Sequence, residues 1–211
     1  MSNLKKRVIS SVFMLAYLWL FLSVDSLLIT CMVLAPVVVV TFYEVNDKIS
    51  IERINLMTFV NFYLITAFFG VLFIKYTYGA KVLFTLMMIS ISADSFAYMF
   101  GKIFKGKKLC PSISPSKTIS GLIGGVSMAY IIGYFAYTDL VPEGIFHHKY
   151  LVILLFVIAS VVGDLIESAV KRTLGIKDFG CVIPGHGGMF DRLDSILCVV
   201  LVFLLAIGFE L

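Results

Sequence analysis

Asp164, Glu167, Ser168 and Lys171 recur at i, i+3, i+4 and i+7, a spacing that places them on one helix face about 100° wide. Further along the chain, Asp191, Asp194 and Ser195 share a face in the same way, with Arg192 beside them. Carboxylates offered by two neighbouring helices make an all-oxygen site. Such a site suits Mg²⁺, a hard cation that keeps several waters and binds substrate phosphates. No His/Cys cluster has the spacing of a zinc site. Between the two faces runs Pro184-Gly185-His186-Gly187-Gly188. Glycines there let backbone N–H groups come close to an anion, although many such loops are only tight turns. Lys171, Arg172, Lys177 and Arg192 surround the loop and add the cationic donors that phosphate recognition uses.

Two upstream stretches carry related chemistry. Asp94 stands between Ser92 and Ser95 in otherwise apolar sequence, and four lysines (Lys102, Lys105, Lys107 and Lys108) follow it. Retention of basic loops on one side of a membrane accounts for most of these lysines without a catalytic role. Then comes Ser114-Pro115-Ser116-Lys117-Thr118, with Gly121 at the head of the next apolar run. Hydroxyls and a lysine at a helix start suit phosphate; a plain N-cap explains the Ser and Thr equally well.

The elements that must position these groups are membrane helices. Of 211 residues, 60% are hydrophobic and 14% charged, where soluble domains carry roughly a quarter charged residues. Seven apolar runs approach the ~20 residues that cross a hydrocarbon core: 8–24, 26–43, 55–74, 80–100, 119–138, 150–170 and 193–211. The composition therefore predicts an all-α, polytopic integral membrane protein with about seven transmembrane helices. It forms a single membrane domain over 1–211, with N-terminal helices in 1–89 and the chemistry in 90–195. The first run follows Lys5, Lys6 and Arg7 without a small-residue cleavage site, and reads as a retained anchor. Asp164 falls inside the sixth run, where an ionisable group costs at least ~2.5 kcal/mol unless paired or hydrated. Its plain alternative role is an internal ion pair with Lys171.

Basic residues set the orientation, because Lys and Arg resist translocation. With the N-terminus in the cytoplasm, 14 of the 17 Lys and Arg fall in cytoplasmic segments, and only Lys75, Lys81 and Lys149 face the other side. This places the active site at the cytoplasmic face of the inner (cytoplasmic) membrane. Cys31, Cys110, Cys181 and Cys198 form no CxxC pair, as expected of free thiols in a reducing compartment. His147 and His148 read as a solvated loop pair on the far side.

The stretch from Ser168 to Asp194 resembles the signature of the phosphatidate cytidylyltransferase (CDP-diacylglycerol synthase) family, S-x-x-K-R-x4-K-D-x-G-x2-I-P-G-H-G-G-x-x-D-R-x-D. Ser168, Lys171, Arg172, Lys177, Asp178, Gly180, Ile183, Pro184, Gly185, His186, Gly187, Gly188, Asp191, Arg192 and Asp194 fill every fixed position. Two weaker family elements match at 93–98, where Ala93 replaces the usual serine, and at Ser114 to Gly121. The resemblance implies transfer of CMP from CTP to phosphatidate, giving CDP-diacylglycerol and pyrophosphate for phospholipid synthesis. It implies Mg²⁺ or Mn²⁺, as one or two cations, held by Asp164 and Asp191 with Asp194, Glu167 and Asp94 in support. Lys171, Arg172, Lys177 and Arg192 would bind the triphosphate or the lipid phosphate. Ser114, Lys117 and Thr118 would help hold phosphate, the 184–188 loop would line the nucleotide site, and Ser168 and Asp178 would complete substrate binding. Expected partners are CTP, phosphatidate and the bilayer; a homodimer is compatible and nucleic acid is not expected.

The nearest rival is the same chemistry on another lipid phosphate, or CTP-dependent phosphorylation of a lipid alcohol. A cation transporter using Asp94 and Asp164 is disfavoured, because transporters place such groups at the midplane between broken helices. The basic-residue split predicts seven spans with the N-terminus inside and the C-terminus outside. A C-terminal reporter fusion or cysteine-accessibility labelling checks this; a cytoplasmic C-terminus would mean a miscounted span.

Overall fold

A computed structural model of the chain describes residues 3–210. Seven helices occupy the seven expected stretches: α1 Asn3–Ser23, α2 Leu27–Lys48, α3 Ile54–Thr77, α4 Ala80–Phe104, α5 Ile119–Leu140, α6 Lys149–Leu174 and α7 Asp194–Gly208. Among the described residues, α2 to α6 are long and apolar enough to cross a membrane. Outside these five, α1 runs 21 residues and carries the apolar stretch Arg7–Ser23, while α7, expected as a span over 193–211, has 15 residues, which at 1.5 Å each fall short of a ~30 Å core. A short helix that is apolar all round belongs inside a bundle. Accordingly Ser195 to Val200 are all buried, and α7 packs against α6, α3 and α4.

Phe13, Trp19, Phe59, Phe62, Phe69 and Phe135 lie largely exposed on the outside. Apolar surface on that scale is untenable in water and ordinary against lipid tails, so the chain is an integral membrane protein. The interior is built from Leu64, Ile74, Leu83, Leu86, Ile89, Ile153, Phe156, Leu197 and Phe203, all almost fully buried.

Because lipid is as apolar as a leucine side chain, helices in a bilayer associate through close packing and hydrogen bonds. Both are visible. Asn46 on α2 and Asn61 on α3 exchange reciprocal amide hydrogen bonds of 3.1 and 2.9 Å. At the opposite end, Lys75 is buried over the Phe21 ring and donates to the carbonyls of Phe21 and Val24 and to the Thr30 hydroxyl. Those carbonyls lie where α1 ends without helical partners, so one ammonium ties the α1–α2 turn to α3.

The all-α expectation holds, with one short addition in a loop. The α4–α5 connection forms an antiparallel hairpin, β1 Lys108–Cys110 with β2 Ser114–Thr118, with a bulge in its register. Strands this short have no apolar alternation to reveal them, and Pro115 fits only because a two-stranded hairpin is all edge. Thr118 ends the hairpin and caps α5, its hydroxyl accepting from the Gly121 N–H at 3.1 Å.

Beyond that cap, α5 lies unusually close to α4. A Cβ on Gly121 would stand 2.6 Å from the Ala97 carbonyl oxygen, and one on Gly125 2.8 Å from the Ala93 carbonyl oxygen. Since backbone cannot swing aside, Gly125→Val should separate the two helices and cost ~1–3 kcal/mol by overpacking. Gly208→Ala, where a Cβ meets nothing within 4 Å, serves as the neutral control. Melting of the two variants in detergent measures the difference.

Candidate active site

α6 carries the polar face that its spacing predicts. The glycine at 163 lets α6 approach α7 so closely that a Cβ there would lie 2.8 Å from the Asp194 carbonyl oxygen. The result is a three-carboxylate cluster: ligand atoms of Asp164, Glu167 and Asp194 all lie within 4.8 Å of one another. Ser168 donates to Asp164 at 3.4 Å. From α4, Asp94 joins the edge of the cluster by accepting from the Ser195 hydroxyl at 3.2 Å. Glu167 is 3% exposed, and its Oε1 has no hydrogen-bond partner. Buried polar atoms are almost always satisfied, so an orphaned carboxylate oxygen among three acids fits a bound hard cation.

Two lysines neutralise the acids from different directions. Lys117, at the end of β2, forms an ion pair with Asp164. Lys171 lies between Glu167 at 2.7 Å and Asp191 at 3.1 Å. The alternative Asp164–Lys171 pair is therefore not the one formed, because the hairpin brings a different lysine to Asp164. Asp191, expected as a metal ligand beside Asp164, stands outside the three-acid cluster. Its carboxylate accepts from the N–H groups of Phe179 at 3.1 Å and Gly188 at 2.9 Å as well as from Lys171. Burial opposes its ionisation, but hydrogen bonding with Glu167, the Lys171 charge and the Gly188 amide outweigh this and hold its carboxyl below the usual carboxylate range.

A cavity of about 500 Å³ opens between α4, the hairpin, α5 and α6. Asp94 and Asp164 line it together with Lys102, Lys105, Lys108 and Lys117, Tyr98 and Ser116. An apolar groove of about 460 Å³ between α5 and α6 adjoins it, and Leu122 and Val161 belong to both. Polar and apolar binding space thus meet beside the carboxylates.

Of the three phosphate-binding candidates in this segment, Lys117 and Thr118 line the cavity, the Thr118 hydroxyl also capping α5, while Ser114 is buried in β2 and is absent from the cavity wall. The 184–188 loop does not border the cavity either. Its Pro184 carbonyl and His186 ring bond to Ser10 at 3.0 and 2.8 Å, and the Gly185 carbonyl accepts from Arg7 at 3.1 Å. Arg192 donates to the His186 carbonyl, and Arg172 to the Ile113 and Ile176 carbonyls. These arginines fasten loops, since a guanidinium has donors enough to satisfy several carbonyls at once. Lys177 and Asp178 are exposed. Two contributions were not anticipated: the lysines in the last turn of α4 and in the loop after it line the cavity, and buried Glu44 of α2 accepts from Met189 and Phe190. Position in an amphipathic loop gave no cue to the first. For Glu44, the only signal was an acid close to the end of an apolar run.

Residues 5–209 match the Cytidylyltransferase family. The chain is 40% identical over 134 residues to a phosphatidate cytidylyltransferase of Bacillus subtilis, covering 62% of this chain and 49% of that protein. It is 38% identical over 130 residues to a phosphatidate cytidylyltransferase of Helicobacter pylori (62% and 48% covered) and 45% identical over 114 residues to one of Rickettsia felis (50% and 49% covered). The chain thus spans about half the length of the curated relatives it matches. With a match running through all seven helices and the carboxylate–lysine site they assemble, the chain belongs to the cytidylyltransferase family.

Proposed function

We propose that this chain transfers CMP from CTP to phosphatidate, releasing pyrophosphate and forming CDP-diacylglycerol. The observation that carries this reading is the junction of a lysine-walled cavity, an acidic cluster and an apolar groove that share Asp164, Leu122 and Val161 as neighbours. A soluble nucleotide and a lipid phosphate need such a meeting point, and the groove suits acyl chains while the cavity suits phosphates. The relatives' names supply the same substrate.

In this reaction a phosphatidate oxygen attacks the α-phosphorus of CTP. A new P–O bond forms, the bond from the α-phosphorus to the bridging oxygen breaks, and pyrophosphate leaves with the electron pair. A phosphomonoester is largely ionised at neutral pH, so it needs little help from a base. It needs charge neutralisation, because two polyanions must approach each other. Lys102, Lys105, Lys108 and Lys117 supply fixed positive charge around the cavity, and Lys117 exchanges Asp164 for an incoming phosphate. Asp164, Glu167 and Asp194, with Asp94 beside them, would hold Mg²⁺ or Mn²⁺, which when bound neutralises phosphate charge at the reacting centre. Asp191 and Lys171 hold the end of α6 and the start of α7 in register. The site faces the cytoplasm, where CTP is found, with seven helices in the inner membrane and the N-terminus inside.

Pyrophosphate release from purified protein supplied with CTP and phosphatidate tests the reading; release only with a different lipid acceptor would redirect it. Asp164→Asn and Asp194→Asn keep size and remove a ligand charge. Each should lower turnover by about a hundredfold or more and raise the Mg²⁺ concentration needed for half-activation, with little change in melting. Asp191→Asn, which acts on the cluster only through Lys171, should lower turnover while moving the Mg²⁺ requirement less than either ligand change does. A large melting loss in Asp164→Asn, with turnover preserved in the folded fraction, would assign Asp164 to a structural pair with Lys117.

Every candidate ligand is an oxygen. Activity removed by a chelator should therefore return with Mg²⁺ or Mn²⁺ and not with Zn²⁺, whose preferred ligands are nitrogen and sulfur.

A further inference from the structure

Glu44 lies near the end of α2 and is 4% exposed. A carboxylate that deep must be compensated, and no cation forms a salt bridge with it among the described residues. Its Oε2 instead accepts the Met189 N–H at 2.7 Å and the Phe190 N–H at 3.3 Å. These amides immediately precede Asp191, which receives Lys171. The loop around Glu44 is also shaped to admit it. A Cβ on Gly180 would lie 2.1 Å from Glu44 Oε1, and one on Gly188 would lie 2.8 Å from both Glu44 Oε2 and Asp191 Oδ2. Two glycines of the signature thus make room for carboxylate side chains.

We propose that Glu44 is a positioning residue for the reaction: it fixes residues 189–190 so that Asp191 stays against Lys171, and through Lys171 keeps Glu167 in the acidic cluster. The role rests on the reading under Proposed function. It requires an acceptor oxygen at this place, not a negative charge. In Glu44→Gln the amide oxygen takes both N–H groups, with the NH₂ in the place of Oε1, which has no partner. Gly180→Ala acts through the same residue, because its new methyl group displaces the Glu44 side chain from Met189.

The test is carried out on the full-length protein in detergent, with steady-state kinetics in CTP and phosphatidate and amide hydrogen exchange over residues 181–192. Glu44→Ala should lose exchange protection at Met189 and Phe190 and lower kcat by about tenfold to a hundredfold, the scale expected when a reacting constellation is misplaced by an ångström. The apparent KM for CTP should change little. Glu44→Gln should restore both protection and kcat to within about threefold of the unsubstituted protein, since its acceptor is retained. Gly180→Ala should reproduce the Glu44→Ala defect, and the double variant should be no worse than Glu44→Ala alone, the non-additivity expected of one shared contact. The proposal is overturned if Glu44→Ala keeps its kcat, if Glu44→Gln is as defective as Glu44→Ala, or if the Gly180→Ala effect adds in full. Absence of CTP- and phosphatidate-dependent pyrophosphate release from the unsubstituted protein would refute the parent reading instead, and the exchange data would still decide whether Glu44 anchors the loop.

Discussion

The ammonium of Lys171 sits between Glu167 on its own helix and Asp191 beyond the glycine loop, and the architecture around it follows from that neutralisation. Four carboxylates at one end of a membrane bundle repel one another and resist leaving water. Two lysines, Lys171 from α6 and Lys117 from the hairpin, make their burial tolerable from opposite sides. Charges held this way stay close together without collapsing into a single inert pair, which leaves oxygen atoms such as Glu167 Oε1 free to meet a cation.

Close helix packing is the second requirement. The α6–α7 contact at Gly163 draws Asp194 toward Asp164 and Glu167, and the α4–α5 contact at Gly121 and Gly125 brings the Asp94 helix to the hairpin carrying Lys117. In a bilayer there is little hydrophobic gain from burying one apolar helix against another. Small residues that allow backbones to touch therefore do the positioning.

The glycine loop is tied to the N-terminal helices. Its outer edge is held by Arg7 and Ser10 of α1, and the residues after it are held by Glu44 of α2. The N-terminal helices consequently do more than anchor the chain. They brace the segment that links α6 to α7, and with it the Asp191–Lys171 contact.

What the sequence by itself determined was whatever depends on local periodicity and local charge. Apolar run lengths located all seven helices, and the i, i+3, i+4, i+7 spacing placed Asp164, Glu167, Ser168 and Lys171 on one face. The motif from Ser168 to Asp194 marked the family. What only the tertiary structure decided was which groups from distant segments meet. Lys117 reached Asp164 through a hairpin too short to leave a pattern, and Lys102, Lys105 and Lys108 became cavity walls because of where α4 ends. Asp191 accepts from two backbone N–H groups that no side-chain spacing encodes. Glu44 was illegible for the same reason: its partners are amides 145 and 146 residues away, and every residue carries a backbone N–H, so the sequence cannot say which one a carboxylate will find.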